Sequence, residues 1–157
     1  MSTINLQTGG KRKPEEKRPL RLIPAIHRAA HRISVYVERD SNLGITQAEA
    51  HILTHLWVSG DSTIGRLHSA FGHRRSTLTS ILDRLAQRGL ISRETSKMDR
   101  RTFVVSLSSE GKAVGREAYK MLLAVEQDVI AKVNRSEING FSVVVQAISD
   151  FHPKKHQ

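Results

Sequence analysis

Apolar residues recur at helical spacing along most of this chain, and one stretch near its middle breaks into the shorter rhythm of strands. Leu22, Ile26, Ala29, Ala30, Ile33 and Val37 trace the stripe of a first long helix, with Pro24 tolerable because it falls in the opening turn. Asn42 and Gly44 close it. Thr46-Gln47-Ala48-Glu49 has the form of a capping box, in which hydroxyl and carboxylate each satisfy a backbone donor, so a second helix should begin there. Ile52, Leu53, Leu56 and Trp57 supply its apolar side, Trp57 being read as core. After the turn at Gly60-Asp61, Ser62 precedes a short helix through Ile64, Leu67 and Phe71, which Gly72 breaks. The next helix turns Leu78, Ile81, Leu82 and Leu85 to one side and leaves Arg75, Ser76, Thr79 and Arg84 largely on the other. Gly89 ends it where a positive φ is usually wanted. Residues 90–94 then suit a strand and 102–107 its return, with the polar run Thr95-Ser96-Lys97-Met98-Asp99-Arg100-Arg101 as the hairpin tip. Ser108 or Ser109 can cap a long helix striped by Val114, Ala118, Met121, Leu122, Val125, Val129 and Val133. Asn134 with Glu137 signals a last helix, striped by Ile138, Phe141, Val144, Val145, Ile148 and Phe151.

This order predicts a mainly α fold with a small β-hairpin: a winged helix-turn-helix lobe at 62–107 with a helical dimerisation region at 20–40 and 109–152, all within a single domain at 20–152. The lobe has its own small core, so the stripes of the first and last two helices are left to bury one another across a twofold axis. Two such lobes set one turn of duplex apart, about 34 Å, could read a palindrome together. A monomeric helical bundle is the competing arrangement. Residues 1–19 carry few large apolar groups and the run Lys11-Arg12-Lys13-Pro14-Glu15-Glu16-Lys17-Arg18, which suits a disordered basic arm. Such an arm either touches DNA or serves as a solubilising tail.

Charge sharpens the picture. The formal net charge is +10, which draws a protein toward polyanions such as nucleic acid or an anionic membrane. No apolar run approaches the roughly 18 residues of a membrane span, and no signal peptide is visible, so a cytoplasmic protein is expected. The absence of cysteine excludes disulfides, thiolate zinc sites and sulfenic-acid sensing. Between Ser62 and Val104 arginine and lysine far outnumber the acidic residues Asp83, Glu94 and Asp99. Arg74, Arg75, Ser76 and Thr77 open the second helix of the lobe, where backbone N–H groups and the helix dipole favour a phosphate. Arginine can also fork onto guanine O6 and N7, and a methyl of Thr77 or Thr79 can meet a thymine methyl. Arg100 and Arg101 at a hairpin tip suit the negative minor groove of A·T-rich DNA, with Asp99 shaping the tip by pairing with an arginine. A merely solvated charged surface is the bland alternative.

These residues resemble the MarR regulators, named for multiple antibiotic resistance, a family of dimeric winged-helix transcription factors that are mostly repressors. The resemblance runs from about Leu22 to Phe151. It rests on Arg75-Ser76-Thr77-Leu78-Thr79-Ser80-Ile81-Leu82-Asp83-Arg84-Leu85, on Arg88-Gly89-Leu90-Ile91-Ser92-Arg93, and on Asp99-Arg100-Arg101 leading to Val105-Ser106-Leu107-Ser108 and Gly111. It implies that Ser76, Thr77, Thr79 and Arg84 belong to a recognition helix, that Arg101 is the minor-groove arginine, and that Asp99 positions it. The expected DNA-binding set is therefore Arg74, Arg75, Ser76, Thr77, Thr79, Ser80, Arg84, Lys97, Asp99, Arg100 and Arg101. Two residues depart from the family pattern: His73 stands where an aliphatic side chain is usual, and Arg74 where a small helix cap is common.

Family members are often released from DNA by phenolic acids or other small anions, and some sense zinc. His27 with His31, and His51 with His55, are i, i+4 pairs that could each help hold a metal ion. Three readings compete: polar helix edges with ordinary histidines, a small organic anion effector held by histidine and arginine, and, behind it, a metal ion. No cofactor is required. The expected partners are double-stranded DNA, a second copy of the chain and such an effector, with no membrane. No His-Glu-x-x-His, glycine-rich phosphate loop or nucleophile signature supports an enzyme. The remaining alternative to a sequence-specific regulator is an architectural or nonspecific DNA-binding protein.

Overall fold

A computed structural model describes residues 20–40, 42–96 and 101–151. The expected arm at 1–19 and the wing-tip residues Lys97, Asp99 and Arg100 lie outside the described residues. Helix α1 (Leu22–Val35) runs into a single wide π-helical turn (Tyr36–Asp40) that buries Val37. Asn42 and Gly44, both at positive φ, reverse the chain into α2 (Gln47–Ser59). Both bonds of the expected capping box form: Glu49 N–H donates to Thr46 Oγ1, and Thr46 N–H to the Glu49 carboxylate.

Ser62 departs from expectation. Read only as the residue before a short helix, it is a strand residue: Ser62–Thr63 form β1, and Thr63 caps α3 (Ile64–Phe71) by accepting from Arg66 N–H. The reason is long-range, since Ser62 and Thr63 pair antiparallel with Val105 and Val104. The hairpin is thereby a three-stranded sheet of order β1-β3-β2, with β2 at Ile91–Thr95 and β3 at Phe103–Leu107. Strand β2 starts and ends one residue later than the alternation suggested, running from Ile91↔Leu107 to Thr95↔Phe103.

Helix α4 (Arg75–Gln87) buries Leu78, Ile81, Leu82 and Leu85, as its period requires. It ends in a Schellman arrangement: Leu90 N–H reaches Leu85 O and Gly89 N–H reaches Ala86 O, with Gly89 at φ 71°. Helix α5 (Ser109–Ile130) is capped by Ser108, whose Oγ accepts from Gly111 N–H and donates to Gly89 O. Its first half lies on α2, and glycine makes the approach possible. A Cβ at Gly115 would stand 3.1 Å from Leu53 O, and one at Gly111 only 1.8 Å from Leu90 O.

The core is not confined to the expected lobe at 62–107: Leu67, Leu78, Leu82, Leu85 and Val105 are fully buried together with Ile52 and Leu53 of α2 and with Val37, and Ala118 seals the α5 side. Trp57, expected inside, is 38% exposed, its Cβ lying beside Gly115 of α5. Helix α6 (Arg135–Ser149) forms behind the expected Asn134–Glu137 capping box. Neither α1 nor α6 has a buried residue, and Val129, Val133, Phe141, Val145, Ile148 and Phe151 stand exposed on the α5–α6 arm.

Candidate nucleic-acid interface

The candidate site starts from the sharp turn between α3 and α4. Gly72 takes the left-handed conformation (φ 62°) that stops α3, and three residues later α4 begins. Its N-cap is Arg74, which makes no side-chain capping bond, since a guanidinium has no acceptor to offer. The first-turn N–H groups of α4 therefore have no side-chain cap and face the direction in which a phosphate oxygen would complete them. Burial of Leu78, Ile81, Leu82 and Leu85 leaves Arg74, Arg75, Ser76, Thr77, Thr79 and Ser80 exposed on the opposite face.

Two of those hydroxyls are already in use. Thr79 Oγ1 donates to Arg75 O at 2.9 Å and Ser80 Oγ to Ser76 O at 3.0 Å. In this state each presents only acceptor lone pairs outward, a match for the amino group of adenine or cytosine and not for a phosphate. Recognition of a phosphate by either would require its hydroxyl to rotate away from the helix.

The wing approaches from the other side. Ser96 N–H donates to Thr102 O at 2.7 Å, closing the base of the loop, and Arg101 follows that loop exposed. Arg101 and Arg75 line one cleft of about 620 Å³, shared with His68, Ser69, Thr79 and Phe103. The sequence could not show this convergence of recognition helix and wing; the fold does.

The remaining basic residues of the lobe divide by partner. Arg93, on β2, places Nη2 2.8 Å from Asp83 Oδ1 and so ties the wing's strand to α4. Arg84 is exposed as expected, but its Nε donates to Glu49 Oε1 at 3.1 Å, and Arg88 Nη1 stands 3.6 Å from Glu49 Oε2. Glu49 is 3% exposed. Burial alone would raise its carboxyl, yet the Thr46 backbone N–H and the Arg84 guanidinium more than reverse that and hold it below the ordinary range. Sequence reasoning saw Glu49 as a cap and missed its second role. The capping box was legible, whereas the partner thirty-five residues away was not.

The histidine pairs separate. His27 and His31 are exposed on α1, while His51 and His55 are half-buried on α2. Among the described residues no three potential ligands gather to hold a metal ion. His55 meets Phe71 edge-on at 5.4 Å, and Phe71 stacks on His73 at 6.2 Å, so the unusual His73 is built into the packing of the turn. His51 is pushed below its ordinary pKa, first by burial and then by the nearby His73.

Comparison with known proteins agrees with this geometry. A family model described as the MarR family matches residues 45–103, from the residue before the α2 cap to the start of β3. An uncharacterized HTH-type transcriptional regulator of Bacillus subtilis, YwaE, is 23% identical over 127 residues, 80% of this chain and 74% of that one. Among solved structures, S. aureus MepR in complex with DNA superposes with a TM-score of 0.73 at 17% identity, covering 85% of this chain and 100% of that one. The E. coli MarR C80S mutant complexed with operator DNA gives 0.66 at 22%, covering 81% and 94%. Bordetella bronchiseptica BpsR, from work on regulation of its DNA binding by 6-hydroxynicotinic acid, gives 0.66 at 20%, covering 86% and 100%. At these identities the structural likeness speaks for a shared fold, and the sequence match assigns residues 45–103, from α2 through α4 to the start of β3, to the MarR family model.

Proposed function

We infer that this protein is a homodimeric, sequence-specific DNA-binding transcriptional regulator that represses by occupying a palindromic operator. Helix α4 enters the major groove and the wing the neighbouring minor groove. The observation that carries this reading is the shared cleft of Arg75 and Arg101, one from each reading element, on a rigid core. MepR and MarR, solved with DNA, and YwaE, named as an HTH-type regulator, support it.

The dimer follows from α1, the second half of α5 and α6. An α6 with no buried residue and Phe141, Val145 and Ile148 exposed is an incomplete packing unit, and a twofold copy supplies the missing apolar surface. The domain assignment is accordingly 20–152, with 20–40 and 109–152 holding the dimer. Within the lobe, Arg74, Arg75, Ser76, Thr77, Thr79, Ser80 and Arg101 face DNA, joined by Lys97, Asp99 and Arg100 of the wing tip. Arg84 is assigned to Glu49 instead. The protein is not an enzyme and acts in the cytoplasm, where its operator lies. Its effector is a small organic anion rather than a metal ion, as BpsR, whose DNA binding is regulated by 6-hydroxynicotinic acid, suggests.

Selection of bound duplexes from a random DNA pool tests the proposal. A palindromic site preferred over random duplex by roughly a thousandfold or more is expected. Equal affinity for the selected site and random duplex would make the protein a nonspecific DNA coater.

A further inference from the structure

Helix α4 packs along one face through Leu78, Ile81, Leu82 and Leu85, but its ties to Glu49 lie toward its C-terminal end only. Its N-terminal turn carries the exposed Arg74 and Arg75, whereas Arg84 and Arg88, one turn apart at the other end, both point to Glu49 of α2. Glu49 is the one buried charged side chain among the described residues, and each of its oxygens has distinct work. Oε2 accepts the Thr46 N–H at 2.9 Å and so closes the α2 cap; Oε1 accepts Arg84 Nε at 3.1 Å. Arg88 adds a third tie, its Nη1 donating to Gly44 O at 3.0 Å while standing 3.6 Å from Oε2. Gly44 and Thr46 belong to the short connection by which α1 hands over to α2. One carboxylate thus fastens the far end of α4 to the junction leading into the helix assigned to the dimer.

We propose that Glu49 is the positioning residue of the recognition helix, setting its angle against the α1–α2 junction so that discrimination between operator and other DNA depends on it. Loss of these ties lets α4 settle at a different tilt on its buried Leu78–Leu85 face, and the first turn, where Arg75 and Thr79 must meet base edges, is carried with it. Base readout demands hydrogen-bond geometry and is lost on such a displacement, while attraction to phosphates is long-ranged and survives it. Glu49 also neutralises two arginines that would otherwise add to nonspecific attraction. The carboxylate therefore acts on discrimination from both sides, strengthening specific readout and restraining nonspecific binding.

This rests on the DNA-regulator reading, and the experiment separates the two. Glu49→Gln suits the purpose because the one amide oxygen of glutamine can keep the capping box, while the charge and the second acceptor that hold Arg84 and Arg88 are removed. The probes are a duplex selected from a random pool by the unaltered protein and a random-sequence duplex of equal length, titrated over a range of salt. If the unaltered protein shows no preference, the regulator reading fails. Given a preference, E49Q is expected to bind the selected duplex about tenfold or more weakly and the random duplex equally or more tightly, at a melting temperature close to that of the parent. A merely destabilised protein would lose both affinities together. Arg84→Met, at an exposed side chain, carries the same test should E49Q fail to fold. As part of the Glu49 tether, R84M lowers discrimination and leaves the salt slope on random duplex unchanged. As a phosphate contact it would instead weaken both duplexes alike and reduce that slope by about one. Unchanged discrimination in E49Q, or the phosphate-contact pattern in R84M, overturns the proposal.

Discussion

Gly111→Ala isolates the close approach that seats α5 on the DNA-reading lobe. The added Cβ would lie 1.8 Å from Leu90 O and 2.8 Å from Leu90 C, so the backbones must part by more than an ångström. Leu90 has little freedom to retreat. Its carbonyl accepts Ser108 N–H at 3.1 Å and its own N–H closes the Schellman turn on Leu85 O at 2.9 Å. Forced overpacking costs about 1–3 kcal/mol, and losing the Ser108 bond about 1 kcal/mol more. The gain of alanine over glycine in a helix offsets about 0.5–1 kcal/mol of this. With the contact on backbone rather than a flexible side chain, the net loss should be about 2–3 kcal/mol, or a melting temperature lower by about 4–12 °C for a chain of this length. Gly65→Ala is the control: its Cβ would meet only Thr63 Oγ1, at 3.9 Å, so the same chemical change there should raise stability slightly. Thermal unfolding of both variants at one protein concentration, without DNA, gives the comparison. G111A melting within about 2 °C of the parent would refute the reasoning.

Arg75→Ala should weaken binding to the selected duplex by about tenfold to a hundredfold without lowering the melting temperature, read by fluorescence anisotropy. Unaltered affinity would remove Arg75 from the interface. Because the folded-state pKa of His51 is depressed below its ordinary 6.5, the unfolded chain binds the proton more readily; stability is full above that value and falls as pH drops through the folded one. Urea midpoints should accordingly decline from pH 6.5 toward 5, and His51→Gln should flatten that limb; a decline identical in H51Q would assign it to another group. Ile148→Asp places a charge on the exposed stripe of α6 and should give monomers by sedimentation where the parent chain sediments as the proposed dimer, with loss of operator binding. A persistent dimer would show that α6 is not the interface.

The elements of this protein were largely legible because what defines them is local. Both capping boxes, the apolar face of α4 and the positive φ of Gly72 and Gly89 depend on residues within a turn of one another, and each forms as its spacing requires. The basic face of the recognition helix was legible for the same reason, since inward leucines at period 3.6 oblige Arg75, Ser76 and Thr79 to face outward. Strand β1 was not legible, because nothing local marks it: Ser62 and Thr63 stand before a helical stripe, and only pairing with Val105 and Val104 across the sheet makes them a strand, with Thr63 also capping α3.

Sequence by itself determined that this is a basic, cysteine-free winged helix-turn-helix flanked by amphipathic helices, because periodicity, capping and charge are written in neighbouring residues. Tertiary structure alone decided where each arginine of the lobe is directed. Arg75 and Arg101 meet in one cleft, while Arg84 turns to Glu49 and Arg93 to Asp83. These partners lie on different elements, and nothing in a side chain's own charge or spacing says which opposite charge the packing of distant segments will bring within hydrogen-bond reach.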